Sequence, residues 1–266
     1  LHKEYRRQRQ MCIRDRAWTN ETKIVWLETP TNPLLNVVDI QKISDITHEL
    51  GGLLIVDNTF ATPYLQKPIS LGADAVVHSA TKYFGGHSDI TAGAVASSKL
   101  IIDKLWHLSK DFGGSLSDFS VWMLERSMKT LSIRVKAQQK NAKKLASFLN
   151  SHKAIKKVYY PGLESHEDHA LAKTQMKGFG AMMSFELVDE YEPLKFLSGL
   201  ELIKHSGSLA GVESTMILPS KSSHSLLTEK QRLAQGISNQ LIRFSVGIES
   251  KKDLIYDIEQ SLNNYN

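Results

Sequence analysis

The sequence predicts an α/β fold in which a largely parallel sheet is covered by helices. The apolar runs 53–56 and 75–77 are short and uninterrupted, as is typical of strands buried on both faces of a parallel sheet. Residues 24–56 follow the order strand, helix, strand, which is the crossover that joins two parallel strands. Polar residues directly follow both apolar runs. Because such sheets bind ligands at the carboxyl ends of their strands, we expect a site there.

Composition limits the class of protein. The 266 residues are 41% hydrophobic, which is enough for one large domain or two moderate ones. No apolar run reaches the length of a membrane span, about 18 residues. The single cysteine, Cys12, excludes an internal disulfide framework and is consistent with a reducing, cytoplasmic compartment.

The net charge of +5 is concentrated at the start of the chain. Residues 1–16 contain six Lys or Arg and two Asp or Glu, so the rest of the chain is close to neutral. This segment lacks helical and strand periodicity, and we interpret it as a foreign or disordered leader. A basic arm that binds nucleic acid is the alternative. The remaining residues favour neither a nucleic-acid nor a membrane partner.

The other elements follow from apolar spacing and from the residues that end helices. A strand at 23–27 precedes a helix at 39–50, which Gly51 and Gly52 terminate. Residues 93–97 are a candidate for the reversed strand that such sheets often carry. Further helices are expected at 99–108, 119–149 (with a kink near 130–132), 192–200 and 252–262, and further strands at 158–160, 182–187 and 241–246.

Asp57 and Lys82 each lie just beyond a predicted strand, so we expect both to face one cleft. Two interpretations are open. The two side chains form a salt bridge, or they belong to a pyridoxal phosphate site. That cofactor needs a lysine amine for its Schiff base and a carboxylate that keeps its ring nitrogen protonated. Its phosphate needs short donors, and Ser79 and Thr81 carry hydroxyls beside Lys82.

The residues around this pair resemble a known family. The stretches VDNTFATP (56–63) and HSATKYFGGHSD (78–89) are similar to the active-site signatures of the cystathionine γ-synthase/γ-lyase family, the pyridoxal phosphate-dependent trans-sulfuration enzymes of Cys and Met metabolism. The resemblance spans residues 20–266. It continues through ETPTNP (28–33), YYPGLESHEDHALA (159–172), KGFGAMMSFEL (177–187), SLAGVES (208–214) and LIRFSVGIES (241–250).

The resemblance implies the aspartate aminotransferase-like fold, fold type I. Under it, residues 17–135 form part of the large cofactor-binding domain and residues 136–266 form an α+β C-terminal domain. Set against the family, the chain begins roughly a quarter to a third of the way in. We therefore expect this 266-residue chain to bind pyridoxal phosphate poorly or to aggregate. The motif at 165–169 matches no ordered metal site, and we read it as hydrated surface charge.

The resemblance also implies roles for the residues that would hold the cofactor. Lys82 forms the Schiff base and then carries protons, with its pKa lowered by imine formation and by nearby cationic charge. Asp57 holds the pyridine nitrogen. Ser79 and Thr81 anchor the phosphate, and Asn32 contacts the ring oxygen.

At the substrate end, Arg243 lies inside an apolar strand and needs a partner, because an unpaired buried charge is unfavourable. An internal salt bridge is one solution. The resemblance implies another, in which Arg243 binds the α-carboxylate of an amino acid together with Asn32, Ser208 and Leu209. Gly207 departs from the family, whose γ-enzymes commonly carry Glu at this position and whose β-lyases carry an aromatic residue.

The implied activity is carbon–sulfur bond formation or cleavage on a sulfur amino acid, of the cystathionine γ-synthase, γ-lyase or β-lyase type. An O-acetyl- or O-succinylhomoserine sulfhydrylase and a truncated, inactive fragment are the alternatives. The resemblance further implies a homotetramer built from two active-site dimers.

Overall fold

The computed structural model describes residues 18–264, so the leader interpreted at 1–16 lies outside the described residues. The strands are β1 (Ile24–Glu28), β2 (Leu53–Asp57), β3 (Ala75–Ser79), β4 (Gly93–Ser97), β5 (Ile155–Tyr159), β6 (Met182–Leu187), β7 (Lys204–His205), β8 (Thr215–Ile217) and β9 (Leu241–Ser245). They form a four-stranded sheet in the order β1-β2-β3-β4 and a five-stranded sheet in the order β5-β6-β9-β8-β7.

The α-helices are α1 (Ile40–Glu49), α2 (Thr62–Leu65), α3 (Lys99–Phe112), α4 (Asp118–Met128), α5 (Leu131–Ser151), α6 (His169–Gln175), α7 (Pro193–Ser198), α8 (Glu229–Ala234) and α9 (Lys251–Asn263). Short 3-10 helices occupy Pro68–Leu71 and Pro219–Lys221. None of the helices within residues 18–264 is long and apolar enough to cross a bilayer.

The first sheet has the predicted α/β arrangement. Strands β1, β2 and β3 pair in parallel, and β4 runs antiparallel to β3, as expected for the strand at 93–97. Leu54 and Val56 are fully buried and pack against Ile40 of the crossover helix α1. The opposite face is largely open within the described residues, where Ile24 and Trp26 are 51% and 59% exposed. Burial on both faces is therefore not reached by residues 18–264 alone.

The main hydrophobic core lies between the second sheet and helices α5 and α9. Its apolar side chains face one another across these layers, and burying each of them stabilises the fold by roughly 1.5–3 kcal/mol. Its buried members include Leu145, Leu149, Phe185, Phe196, Phe244, Leu254 and Ile258.

The helical stretch predicted at 119–149 is two helices. Helix α4 ends at Met128 and α5 begins at Leu131, because Thr130 leaves helical geometry with φ −103° and ψ 3°. The break falls next to the predicted kink. Helix α3 extends four residues beyond its predicted end at 108 and has no buried residue.

Buried polar groups join the two halves of the chain. The Gln175 amide donates to Gln66 Oε1 and accepts the N–H of Ile40, both at 3.0 Å. The Ser184 hydroxyl of β6 donates to the Pro33 carbonyl at 2.7 Å. Because a buried polar group that loses its partner is unfavourable, these contacts fix how the second sheet lies against the first.

The segment 165–169 fits its interpretation as hydrated surface charge only in part: Ser165 and Glu167 are exposed, but the segment also belongs to this junction. The Asp168 carboxylate accepts the N–H of Val37 at 2.9 Å, and His166 is only 8% exposed. His166 and Asp168 therefore serve the packing between the two halves. No group of side chains able to hold a metal ion occurs within residues 18–264.

Candidate active site

Acidic and hydroxyl side chains end the first three strands at one edge of the first sheet. Glu28 closes β1, Asp57 closes β2 and Ser79 closes β3. The parallel register places Glu28 opposite Asp57 and Asp57 opposite Val77. Lys82 follows in a turn, in which its N–H donates to the Ser79 carbonyl at 3.1 Å. The carboxyl ends of the strands thus meet at one edge, as the sequence predicts.

A short hydrogen-bonded chain fixes Asp57 relative to Ser79. One Asp57 oxygen accepts the N–H of Thr59 at 2.9 Å, and the Thr59 hydroxyl accepts the N–H of Ser79 at 2.8 Å. The other Asp57 oxygen has no hydrogen bond or ion pair within residues 18–264. The role of Thr59 was missed from the sequence, where its only signal is a hydroxyl two residues after the aspartate.

The groups around Asp57 do not neutralise its charge. His78 is buried and stacks on Phe84 with ring centroids 4.7 Å apart. Burial lowers the pKa of His78 to about 4, against the opposing effect of Asp57, so the imidazole is neutral at pH 7. Burial, opposed by a hydrogen bond from the Asn32 N–H and assisted by Asp57, raises the pKa of Glu28. A carboxylate without a cation is therefore held at this edge.

Lys82 is a primary amine whose charged form is disfavoured. Burial lowers its pKa, and the nearby Arg243 guanidinium lowers it further. The expected decrease in the pKa of Lys82 is thus caused mainly by burial and, to a smaller extent, by cationic charge. The Lys82 amine makes no hydrogen bond within the described residues, and the salt bridge to Asp57 considered from the sequence is not formed. Lys82 is therefore available for covalent chemistry.

The two hydroxyls expected at the phosphate differ in availability. Thr81 Oγ1 donates to the Ala92 carbonyl at 3.2 Å and accepts the Ala92 N–H at 2.9 Å. It therefore closes the loop between β3 and β4. The Ser79 hydroxyl has no hydrogen bond within residues 18–264 and is free to donate to an anion.

Arg243 is a buried cation without an anion. It lies on β9, the central strand of the second sheet, and is 5% exposed. Its guanidinium donates to Asn32 Oδ1 at 3.4 Å and to the Gly207 carbonyl at 3.1 Å. Burial lowers its pKa to about 10. No carboxylate pairs with it within the described residues, so the internal salt bridge is absent and an anionic ligand would supply the missing charge.

The segment after Gly207 contributes one hydroxyl and one apolar side chain. Ser208 Oγ lies 3.2 Å from Ser88 Oγ, which donates to Glu213 Oε1 at 2.6 Å. Leu209 is 7% exposed and packs in a core cluster with Tyr83. Any contact of Leu209 with a ligand must therefore come from its backbone.

An open depression lies apart from these residues. Its volume is about 610 Å³, and it is lined in the C-terminal half by residues that include Glu192, Leu218 and Arg232. None of the side chains that the sequence singles out borders it. The predicted site residues therefore lie outside this depression, at the strand edge and around Arg243.

Comparison with known proteins places this arrangement in a family. A sequence profile of the Cys/Met metabolism PLP-dependent enzymes matches residues 7–263. The chain is 48% identical over 247 residues to a cystathionine beta-lyase of Lactococcus lactis subsp. cremoris, with 92% of this chain and 65% of that protein covered. It is 47% identical over 251 residues to a cystathionine gamma-lyase of Bacillus subtilis, with 94% and 66% covered.

The crystal structure of a cystathionine gamma-lyase from Lactobacillus plantarum complexed with L-serine superposes with a TM-score of 0.92 at 42% identity, covering 95% of this chain and 67% of that one. The chain spans about 65% of the length of the curated relatives it matches. The predicted fold class is confirmed by this likeness, which extends through both sheets. The chain therefore belongs to the Cys/Met metabolism family of pyridoxal phosphate-dependent enzymes.

Proposed function

We propose that the protein binds pyridoxal phosphate through Lys82 and cleaves a carbon–sulfur bond of a sulfur amino acid such as cystathionine. The observation that carries the proposal is that Lys82, whose amine has a lowered pKa, lies near the buried Arg243, which has no carboxylate partner within residues 18–264. One group offers a nucleophile, and the other offers a receptor for a carboxylate.

The residues present fit the cofactor. Bound pyridoxal phosphate supplies an electron sink for the carbanion formed at Cα of an amino acid. Among the described residues, one Asp57 carboxylate oxygen has no partner and a neutral imidazole lies beside it, which suits a protonated ring nitrogen. Ser79 has a free hydroxyl for the phosphate. The Thr81 hydroxyl donates to the Ala92 carbonyl, so Thr81 would have to share this hydroxyl with the phosphate.

The substrate end follows from the donors around Arg243. Its guanidinium would bind the α-carboxylate of the substrate, and Asn32 and Ser208 would orient that group. Lys82 would then take the proton from Cα, which its lowered pKa favours because the neutral amine is the base. Proton transfer by Lys82 and capture of the carboxylate by Arg243 are thus separate tasks of two neighbouring basic side chains.

We place elimination ahead of replacement because relatives of this chain are named cystathionine beta-lyase and cystathionine gamma-lyase. Gly207 brings no side chain that carries a proton or a ring next to Arg243. A Cβ at this position would meet only Ile217, at an ordinary 3.5 Å. The choice between β- and γ-elimination therefore depends on groups other than residue 207.

A homo-oligomer in the cytoplasm completes the proposal. Helix α3 buries no residue, and large apolar side chains of α3 and α4 are exposed, including Trp106, Phe112 and Phe119 at 56%, 84% and 68%. Exposed apolar surface on this scale is typical of an interface. The single Cys12 is consistent with a reducing compartment.

The first experiment locates the cofactor. The purified chain is incubated with pyridoxal phosphate, reduced with borohydride and digested for peptide mass spectrometry. We expect the cofactor mass on the Lys82 peptide, even at low occupancy, and its loss in Lys82→Ala but not in Lys177→Ala. Labelling spread over surface lysines, with no excess at Lys82, would contradict the proposal. Release of thiol and keto acid from cystathionine then tests the reaction.

A further inference from the structure

Three polar side chains on one face of helix α5 reach backbone loops around the site. Arg134, Gln138 and Asn141 are spaced four and three residues apart, which places them on the same side of the helix. Their exposed fractions are 5%, 0% and 9%. Buried polar groups are retained where their hydrogen bonds are satisfied. Their nitrogens donate to backbone carbonyls, whereas Gln138 Oε1 has no partner within residues 18–264.

Arg134 holds the turn that carries Lys82. Its guanidinium donates to the carbonyl of Tyr83 at 2.7 Å and to that of Phe84 at 3.2 Å. These are the two residues that follow Lys82 in the chain. The planar fork reaches both carbonyls at once, whereas a lysine ammonium reaches one point.

The same side chain also stabilises the junction of α4 and α5. It donates to the Ser127 carbonyl at 2.9 Å and to the Thr130 hydroxyl at 3.1 Å. Burial lowers the pKa of Arg134, and no carboxylate pairs with it within residues 18–264. Arg134 is thus a buried charge whose partners are only carbonyl and hydroxyl oxygens. This indicates that it holds the geometry of the turn rather than pairing with an opposite charge.

Gly86 shows how closely Arg134 approaches the turn. Gly86 has φ +70°, and a Cβ at this position would overlap the Arg134 guanidinium. Its own carbonyl accepts the N–H of Val212 at 2.9 Å. The turn of Lys82 therefore lies between α5 and the segment that follows Ser208.

The other two side chains anchor the substrate end to the same helix. Gln138 donates to the Gly211 carbonyl at 2.6 Å. Asn141 donates to the carbonyls of Gly247 and Glu249 at 3.2 and 2.8 Å, just beyond the strand of Arg243. One rigid helix thus holds the three segments that carry the nucleophile and the carboxylate receptor.

We propose that Arg134 is a positioning residue for Lys82, whose turn it fixes against α5 through the carbonyls of Tyr83 and Phe84. The inference rests on the proposed role of Lys82 in binding the cofactor. Its first two measurements need no cofactor, so they can fail or succeed independently of that role.

The test compares the wild-type chain with Arg134→Met and Arg134→Lys. Amide hydrogen exchange of residues 82–86 is followed by mass spectrometry, and the pH profile of Lys82 acylation reports the ionisation of its amine. In Arg134→Met we expect exchange at 82–86 to rise at least about tenfold. We also expect the pH profile of Lys82 acylation to move to higher pH. The released turn would expose the amine and move it away from the Arg243 guanidinium.

Asn141→Ala is the matched control. It removes two hydrogen bonds to carbonyls from the same face of α5, but none from the turn of Lys82. We expect faster exchange at 246–250, with the Lys82 profile and exchange at 82–86 unchanged. Arg134→Lys should lie between wild type and Arg134→Met, since one ammonium can replace only part of the fork.

A purely structural Arg134 would behave differently. Both variants would then melt at lower temperature, while exchange at 82–86 and the Lys82 profile matched wild type, and this result would overturn the proposal. If Arg134→Met does not fold, the same two measurements on Arg134→Lys decide. Cofactor trapping is the last comparison: no adduct in wild type refutes the proposed function, whereas a smaller adduct only in the Arg134 variants supports the positioning role.

Discussion

At the scale of single residues, the site places two basic side chains, Lys82 and Arg243, near each other rather than one basic and one acidic side chain. Burial lowers the pKa of both Lys82 and Arg243, and the Arg243 charge lowers that of Lys82 further. A bound carboxylate would compensate Arg243 and so relieve the destabilisation of the protonated amine. Substrate binding and the proton affinity of Lys82 are therefore expected to be coupled.

His78 makes the stability of the fold depend on pH. Its pKa is about 4 in the folded chain and 6.5 in an unfolded one, so the unfolded chain binds the additional proton. The contribution of His78 is complete above pH 6.5 and is lost as the pH falls towards 4. The free energy of unfolding from urea titrations should fall by up to about 3 kcal/mol through this group.

The comparison for this prediction is His78→Gln, which cannot titrate. The variant should lose this part of the pH dependence between pH 7 and pH 4.5, whereas His205→Gln, at an exposed position on β7, should retain it. Equal slopes for wild type and His78→Gln would show that His78 is not the responsible group.

The sequence identified residues whose type conflicts with their surroundings. Asp57, Lys82 and Arg243 are ionisable groups in or beside apolar strands, and this contrast is visible without a structure. Thr59 and Arg134 were missed because they act through backbone atoms, which leave no signature in the sequence. Arg134 contacts carbonyls about 50 residues away in the chain.

At the scale of elements, helix α9 is tied to the loop before β7 by one carboxylate. Asp257 is 3% exposed and accepts the N–H groups of Glu201, Leu202 and Ile203 at 2.8, 3.1 and 2.8 Å. In Asp257→Ala these donors lose their partner, and we expect the free energy of unfolding to fall by about 3 kcal/mol.

Glu259→Ala serves as the control, because this carboxylate is exposed on the same helix. Thermal or urea unfolding should show a change within about 0.5 kcal/mol for it. A similar loss in both variants would mean that Asp257 stabilises α9 in a way unrelated to the three N–H groups.

Elements with a clear periodicity of apolar residues were predicted from the sequence, whereas the shortest elements were not. The crossover 24–56, the reversed strand at 93–97 and the break near residue 130 follow from apolar spacing and Gly signals. Strands β7 and β8 contain two and three residues, too few to show alternation. The two-sided burial expected for the apolar runs of β2 and β3 is incomplete, since Leu53 is 43% exposed, and the sequence of a strand does not specify what lies against its second face.

At the scale of the whole molecule, helices α3 and α4 present an apolar surface that the described residues do not cover. Phe119 and Trp122 stack on each other with ring centroids 6.1 Å apart and are 68% and 57% exposed. If copies of the chain associate through this surface, the double variant Phe119→Ser, Trp122→Ser should shift sedimentation velocity profiles towards smaller species.

Leu226→Ser controls for the loss of an exposed apolar side chain, because Leu226 is 99% exposed and lies in the C-terminal half. This variant should sediment like wild type. An unchanged distribution for the double variant would exclude the α3–α4 surface as the contact between copies.

The placement of the four tryptophans also determines what intrinsic fluorescence can measure. Trp26, Trp106 and Trp122 are more than half exposed, and Trp18 is only partly buried. In the folded monomer their emission should already resemble that of hydrated indole, so unfolding will shift it little. A shift to shorter wavelength on raising the protein concentration would instead report assembly, which makes tryptophan emission an optical probe of association in this protein.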